Sequence, residues 1–103
     1  MGTLDFVVTK YGRNRGKGAA TVRSSNVRTS GQYTTSGTAS NVEDAGGDIS
    51  MGSGELIIAH ASVAMRMAFG GTVATTTTGH YLPAGVMVDI ECNDPGVVSV
   101  IDA

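Results

Sequence analysis

The sequence predicts an all-β fold, a small β-sandwich or jelly-roll-like domain preceded by an extended, Gly/Ser/Thr-rich N-terminal arm. Three observations carry this expectation. Val86, Val88, Ile90 and Cys92 alternate with Met87, Asp89 and Glu91, the period of a strand with one buried face. Glycine, threonine and serine fill 15, 12 and 9 of the 103 positions, and both prolines stand in turn sequences that end in glycine. Only 16 % of the residues are charged, tryptophan is absent, and no apolar run is long enough to be a membrane-spanning helix. A single cysteine, Cys92, argues against a disulfide-stapled mini-protein, and the glycines lack the three-residue period of collagen.

Taken in order, Phe6-Val7-Val8 predicts a short first strand. Met1 to Phe6 has no charged region followed by an apolar stretch, so no signal peptide is expected, and Phe6 breaks the myristoylation pattern that Gly2 would open. The lone Cys92 suits a chain made in a reducing cytoplasm. Between positions 10 and 53 there are seven large apolar residues in 44, against 19 in the 50 that follow. Ordering one residue costs about 1–2 kcal/mol of backbone entropy, which so sparse a segment cannot offset by its own burial. Residues 1–53 are therefore expected to be an extended basic arm with a short first strand, ordered only along another surface. Residues 54–103 are expected to be the compact β-domain.

Within that domain, residues 54–70 satisfy two patterns. Val63, Met65, Met67 and Phe69 alternate as in a strand, while Leu56, His60, Val63 and Met67 fall on one helical stripe. The β-branched Ile57 and Ile58, and the strand-favouring run Thr72 to Thr78, tip the expectation toward strands. Leu82-Pro83-Ala84-Gly85 predicts a turn before the strand at 86–92. Asn93-Asp94-Pro95-Gly96 predicts a type II turn after it, and Val97 to Ile101 a second strand, so that the two strands form a hairpin.

Charge is unevenly placed. Six of the seven basic residues lie between positions 10 and 28, and eight of the nine acids lie at or after position 43, so residues 1–42 carry +5 and residues 43–103 carry −7. Such a chain is suited to head-to-tail contact with its own copies or to an oppositely charged surface. Lys10, Tyr11, Arg13, Arg15, Lys17, Arg23 and Arg28 are the candidate partner-binding residues of the arm. Their cations could contact phosphates while Tyr11 stacks a base. A nucleic-acid module, however, ordinarily has a pI above about 9, and this chain has a pI near 5.5. Docking on an acidic protein surface is the better expectation.

Motifs for chemistry fail one by one. Gly12-Arg13-Asn14-Arg15-Gly16-Lys17-Gly18 is one residue too short for a phosphate-binding loop, and Gly18 replaces the magnesium-binding hydroxyl. Glu43-Asp44-Ala45-Gly46-Gly47-Asp48 lacks the ligand alternation of a calcium loop and is expected to be a solvated turn. His60 and His80 have no partner at metal-ligand spacing, and Ser53 lies outside any nucleophile elbow. Cys92 is expected to point into the core. The expectation is a non-enzyme with no catalytic residues, no cofactor and no metal. A sugar-binding or cupin-like domain would instead need a concave pocket near His60, His80 and Tyr81.

The C-terminal half resembles small virion proteins of tailed bacteriophages. The resemblance rests on an apolar stretch reaching Ala68-Phe69-Gly70, the Thr/Ala-rich segment Thr72 to Thr78, the Leu82-Pro83-Ala84-Gly85 turn, and the closing strand Val98-Ser99-Val100-Ile101-Asp102. It covers about 45 residues and leaves the first 53 unmatched. It implies a head decoration (cement) protein on the capsid surface, or another accessory virion part such as neck, tail or fibre. Its implied partners are the major capsid protein and copies of itself. A core of some 50 residues is thin, which oligomerisation would remedy, so a homo-oligomer, most often a trimer, is expected. A nucleic-acid-binding accessory protein acting through the basic arm is the alternative. No membrane partner is expected.

Overall fold

The computed structural model describes the backbone of residues 1–11 and 23–103, and the side chains of residues 1–9 and 27–103. Twelve strands occur among them and no helix: β1 (Gly2–Tyr11), β2 (Arg23–Thr35), β3 (Ser40–Asn41), β4 (Glu43–Asp44), β5 (Gly47–Asp48), β6 (Ser50–Met51), β7 (Glu55–Ala61), β8 (Met65–Ala68), β9 (His80–Leu82), β10 (Met87–Glu91), β11 (Gly96–Val97) and β12 (Ser99–Asp102). Two four-stranded sheets, ordered β10-β7-β1-β2 and β3-β12-β8-β9, carry the fold. Two small ladders, β11-β6 and β4-β5, complete it, and the strands of every ladder pair antiparallel.

The two large sheets pack face to face as a sandwich. Leu4, Phe6 and Val8 of β1 and Ile57, Ala59 and Ala61 of β7 point inward from the first sheet, in register as Leu4–Ala61, Phe6–Ala59 and Val8–Ile57. Met65 and Met67 of β8, Leu82 of β9 and Val100 of β12 meet them from the second. Alternate residues face away, as the two-residue period of a strand dictates. Gly31 lies opposite Phe6 on β2, and a Cβ there would stand 3.3 Å from Phe6 Cζ, so the ring occupies the space a side chain would take.

The strand expectation for 54–70 holds, since β7 and β8 fill that stretch. The inward face of the 86–92 strand follows its alternation only in part: Val88 and Ile90 pack on the core and Cys92 is buried, whereas Val86, expected on the same face, precedes β10 and stands 48 % exposed. The hairpin is not. β10 pairs with β7, whereas β12 pairs with β8 and β3 in the opposite sheet. The Asp94-Pro95-Gly96 corner, with Gly96 at φ 142°, carries the chain between sheets. Each of these strands has one apolar face, and crossing sheets lets Val88 and Ile90 face the side from which Val98 and Val100 come. The Thr72 to Thr78 run forms no strand. It folds over the outer face of the second sheet, where Ala74 is buried with Ala68 and Ile101 and its N–H donates to Ser99 Oγ at 2.9 Å.

The arm expectation fails for residues 23–53. β2 pairs with β1 from Gly2–Thr35 to Tyr11–Arg23, and Val42, Ile49 and Met51 are core residues with Tyr33 packed against them. The apolar residues of this stretch are sparse, but nearly every described one reaches the interior. Its polar residues meet their ordering cost through the sheet ladder rather than through burial.

Candidate interaction surface

β9 and β10 are edge strands of the two sheets, joined by the short link from Pro83 to Val86. Three large apolar side chains on this stretch stand half in solvent: Tyr81 at 52 %, Val86 at 48 % and Met87 at 54 % exposure. Sheet alternation explains Tyr81 and Met87, while Val86 precedes β10 and lies outside its alternation. Leu82 points inward, which turns Tyr81 outward, and Val88 and Ile90 point inward, which turns Met87 outward with Asp89 and Glu91.

On the outer face of the second sheet, Arg66 lies directly across from Tyr81, and its guanidinium carbon is 5.3 Å from the Tyr81 ring centroid. Arg66 Nη1 donates to the Gly79 carbonyl at 3.1 Å. Its Nε is buried and has no hydrogen-bond partner among the described residues. Gly79 makes the close approach of this loop possible: its φ is 116°, and a Cβ would lie 2.8 Å from the Met67 carbonyl oxygen. Beside it, His80 meets Phe69 edge to face, with centroids 5.6 Å apart.

Two shallow depressions flank these elements. One, of about 380 Å³, is lined by Phe69, Thr72, His80, Asn93 and Asp94 among others. The other, of about 340 Å³, lies on the outer face of the first sheet over Val7 and Ile58, with Asp5, His60 and Met87 at its sides. His60 and His80 thus line separate depressions on different sheets, and Tyr81 lines neither, so among the described residues these three do not share either depression.

The residues assigned to the basic arm divide. Lys10 and Tyr11 lie on β1 and Arg23 on β2, where Tyr11 and Arg23 pair. Arg13, Arg15 and Lys17 lie outside the described residues. Arg28 is held within the fold: its Nε donates to Glu55 Oε2 at 2.5 Å and its Nη2 to the Ser50 carbonyl at 2.8 Å. Glu55 is 27 residues away in sequence, and the spacing of charges gave no sign of this partner.

At the far edge of the second sheet, β3 leads into the tight β4–β5 ladder, where Glu43 and Asp48 are direct register partners. Asp44 accepts hydrogen bonds from the Thr29 hydroxyl at 2.6 Å and the Gly46 N–H at 2.7 Å. The Thr29 hydroxyl first, then the Gly46 amide, together with the nearby Arg28 charge, hold its carboxyl below the usual carboxylate range. Among the described residues no group of three or more metal-ligating side chains gathers. Cys92 is buried, its thiol directed to the Asp94 carbonyl at 3.4 Å.

The exposed edge left a faint trace in the sequence. Met87 is an apolar residue in phase with Asp89 and Glu91 on the polar face of an alternating strand, and Arg66 is the single lysine or arginine after Arg28. Comparison with protein-family models, with curated proteins and with solved structures returns no match to this chain.

Proposed function

We propose that the chain is a structural virion protein of a tailed bacteriophage, one that decorates or cements the capsid by associating with its own copies and bridging capsid subunits. The observation that carries this reading is the apolar edge formed by Tyr81, Val86 and Met87, each half exposed on one short stretch of a small sandwich. Large apolar side chains gathered on a small domain mark a surface meant to be covered by another protein. The segments that carry the phage resemblance support it further: β8, β9, the loop between them and β12 all belong to the second sheet or cover its outer face. In this reading the protein resides on the capsid surface, and its partners are the major capsid protein and itself, a trimer being the expected oligomer.

Purified virions analysed for this polypeptide and its copy number relative to the major capsid protein provide the test. The reading predicts a fixed stoichiometric ratio, and recombinant protein that binds particles stripped of it. Absence from virions, or salt-sensitive DNA binding that disappears when Arg13, Arg15 and Lys17 are neutralised, would replace it with the nucleic-acid reading.

A further inference from the structure

We propose that Arg66 and Tyr81 of one molecule dock onto Glu43 and Asp48 of a second copy, so that the chain associates head to tail. This rests on the self-associating virion subunit above and names the contact it uses.

The donor side is built and unsatisfied. Arg66 is the only lysine or arginine after position 28, in a stretch with eight acids. Among the described residues its one hydrogen bond runs from Nη1 to the Gly79 carbonyl and it pairs with no carboxylate; Nε is buried, so a partner meets the guanidinium at its Nη atoms. The Gly79 bond and the Tyr81 ring fix the guanidinium in place, so little freedom is left to lose when a carboxylate meets it. Arginine and tyrosine are both enriched at the energetic centres of protein interfaces, and here they stand side by side with Tyr81 half exposed.

The acceptor side is equally unresolved within one molecule. Glu43 and Asp48 face each other across a two-residue ladder, a placement that sets both carboxylates on one face and makes them repel. Both are exposed. Asp48 accepts only the neutral Asn41 amide, at 3.0 Å, and neither acid meets a cation among the described residues. A guanidinium offers the planar pair of donors that such carboxylates take.

Topology keeps the two sides apart in one chain. β9 and β3 are opposite edges of the second sheet, and β4 follows β3 directly. Arg66, on β8, has its guanidinium against Tyr81 on the β9 side, and β12 stands between β8 and β3. A contact between two different patches on identical molecules is heterologous, and it closes into a ring or extends as a filament. A ring agrees with the expected trimer.

Sedimentation velocity on the full chain, at micromolar concentration and low salt, tests the contact by charge exchange. Wild-type protein is expected to sediment as an oligomer that dissociates as salt rises. Arg66→Glu should weaken association by about tenfold or more, Glu43→Arg with Asp48→Arg should do the same, and the combined exchange should restore it. Arg66→Gln, with circular dichroism to confirm the fold, should give an intermediate loss. A monomeric wild type, an Arg66→Glu variant that sediments as wild type, or a combined exchange without recovery would each overturn the proposal. A monomer that loses particle binding on Arg66→Glu would overturn it in favour of an acidic capsid surface as the occupant. Failure of the virion reading is read separately: protein absent from virions, yet showing loss and recovery by charge exchange, sinks that reading and supports this contact.

Discussion

The Thr35 hydroxyl donates a hydrogen bond to Oδ1 of Asp102, joining β2 of the first sheet to β12 of the second across 67 residues of sequence. Thr35 is buried, and the Asp102 side chain is 14 % exposed, so the bond is shielded from water. The Asp102 N–H donates to the Ser36 carbonyl at 2.8 Å, and its Oδ2 lies 3.6 Å from the N-terminal ammonium. The two sheets are thus held at one end by polar contacts and in the middle by apolar packing.

Asp102→Ala is expected to lower stability by about 1.5–3 kcal/mol, because it removes a hydrogen bond to a charged group and leaves the Thr35 hydroxyl buried without its acceptor. Thr35→Val, which removes the donor while keeping the shape, should cost less. Urea denaturation of the three proteins checks the order. The exposed N-terminal ammonium adds little by comparison.

The sequence made the strand period legible where one face was strictly apolar, as at Val88, Ile90 and Cys92. It could not show which strands would pair, because pairing depends on contacts remote in sequence. The Asp94-Pro95-Gly96 corner has the residues of a hairpin turn and serves as a crossing between sheets. Val42, Ile49 and Met51 were illegible as core because their density is low, and density is a poor guide when a ladder with β1, β11 or β12 brings a segment inward. The candidate surface was hidden for a related reason. Arg66 and Tyr81 become neighbours through the β8–β9 register, and Glu43 and Asp48 through a turn whose chemistry resembles a solvated loop.

Asp44 should contribute to acid sensitivity. Its folded carboxyl is held below its ordinary value by the Thr29 hydroxyl and the Gly46 amide, so the folded state favours the ionised form. The stabilisation is therefore present above the unfolded carboxylate pKa and is lost as pH falls through the lower, folded pKa. Thr29→Val should move the Asp44 titration midpoint back toward the ordinary carboxylate value, read by NMR from the Asp44 side-chain resonance. Asp44→Asn should flatten the fall in denaturation midpoint between neutral and acid pH.

Gly79→Ala should destabilise the β8–β9 turn by about 1–3 kcal/mol, since the position holds a left-handed φ of 116° that side chains rarely adopt. The added Cβ would also meet the Met67 carbonyl oxygen at 2.8 Å, a backbone atom that cannot swing aside. Shifting Gly79 moves the carbonyl that anchors Arg66, so the same variant should loosen the guanidinium. A fall in melting temperature, together with broadened Arg66 side-chain NMR signals, is the expected pair of outcomes.

Ser99→Ala isolates what holds the threonine-rich loop. The Ala74 N–H is buried against the outer face of the second sheet and has the Ser99 hydroxyl as its acceptor at 2.9 Å. Removing that oxygen leaves a buried amide unpaired, at a cost of about 1–3 kcal/mol. The loop can escape the cost by lifting Ala74 away from Ala68 and Ile101, because a cluster of two alanines and one isoleucine gives up little on exposure. Amide hydrogen exchange at Ala74 should therefore accelerate far more than exchange at Met65 or Val100, which pair within the sheet. Equal acceleration at all three amides would mean that the loop and the sheet open as one unit, with Ser99 supporting the whole sandwich rather than the loop alone.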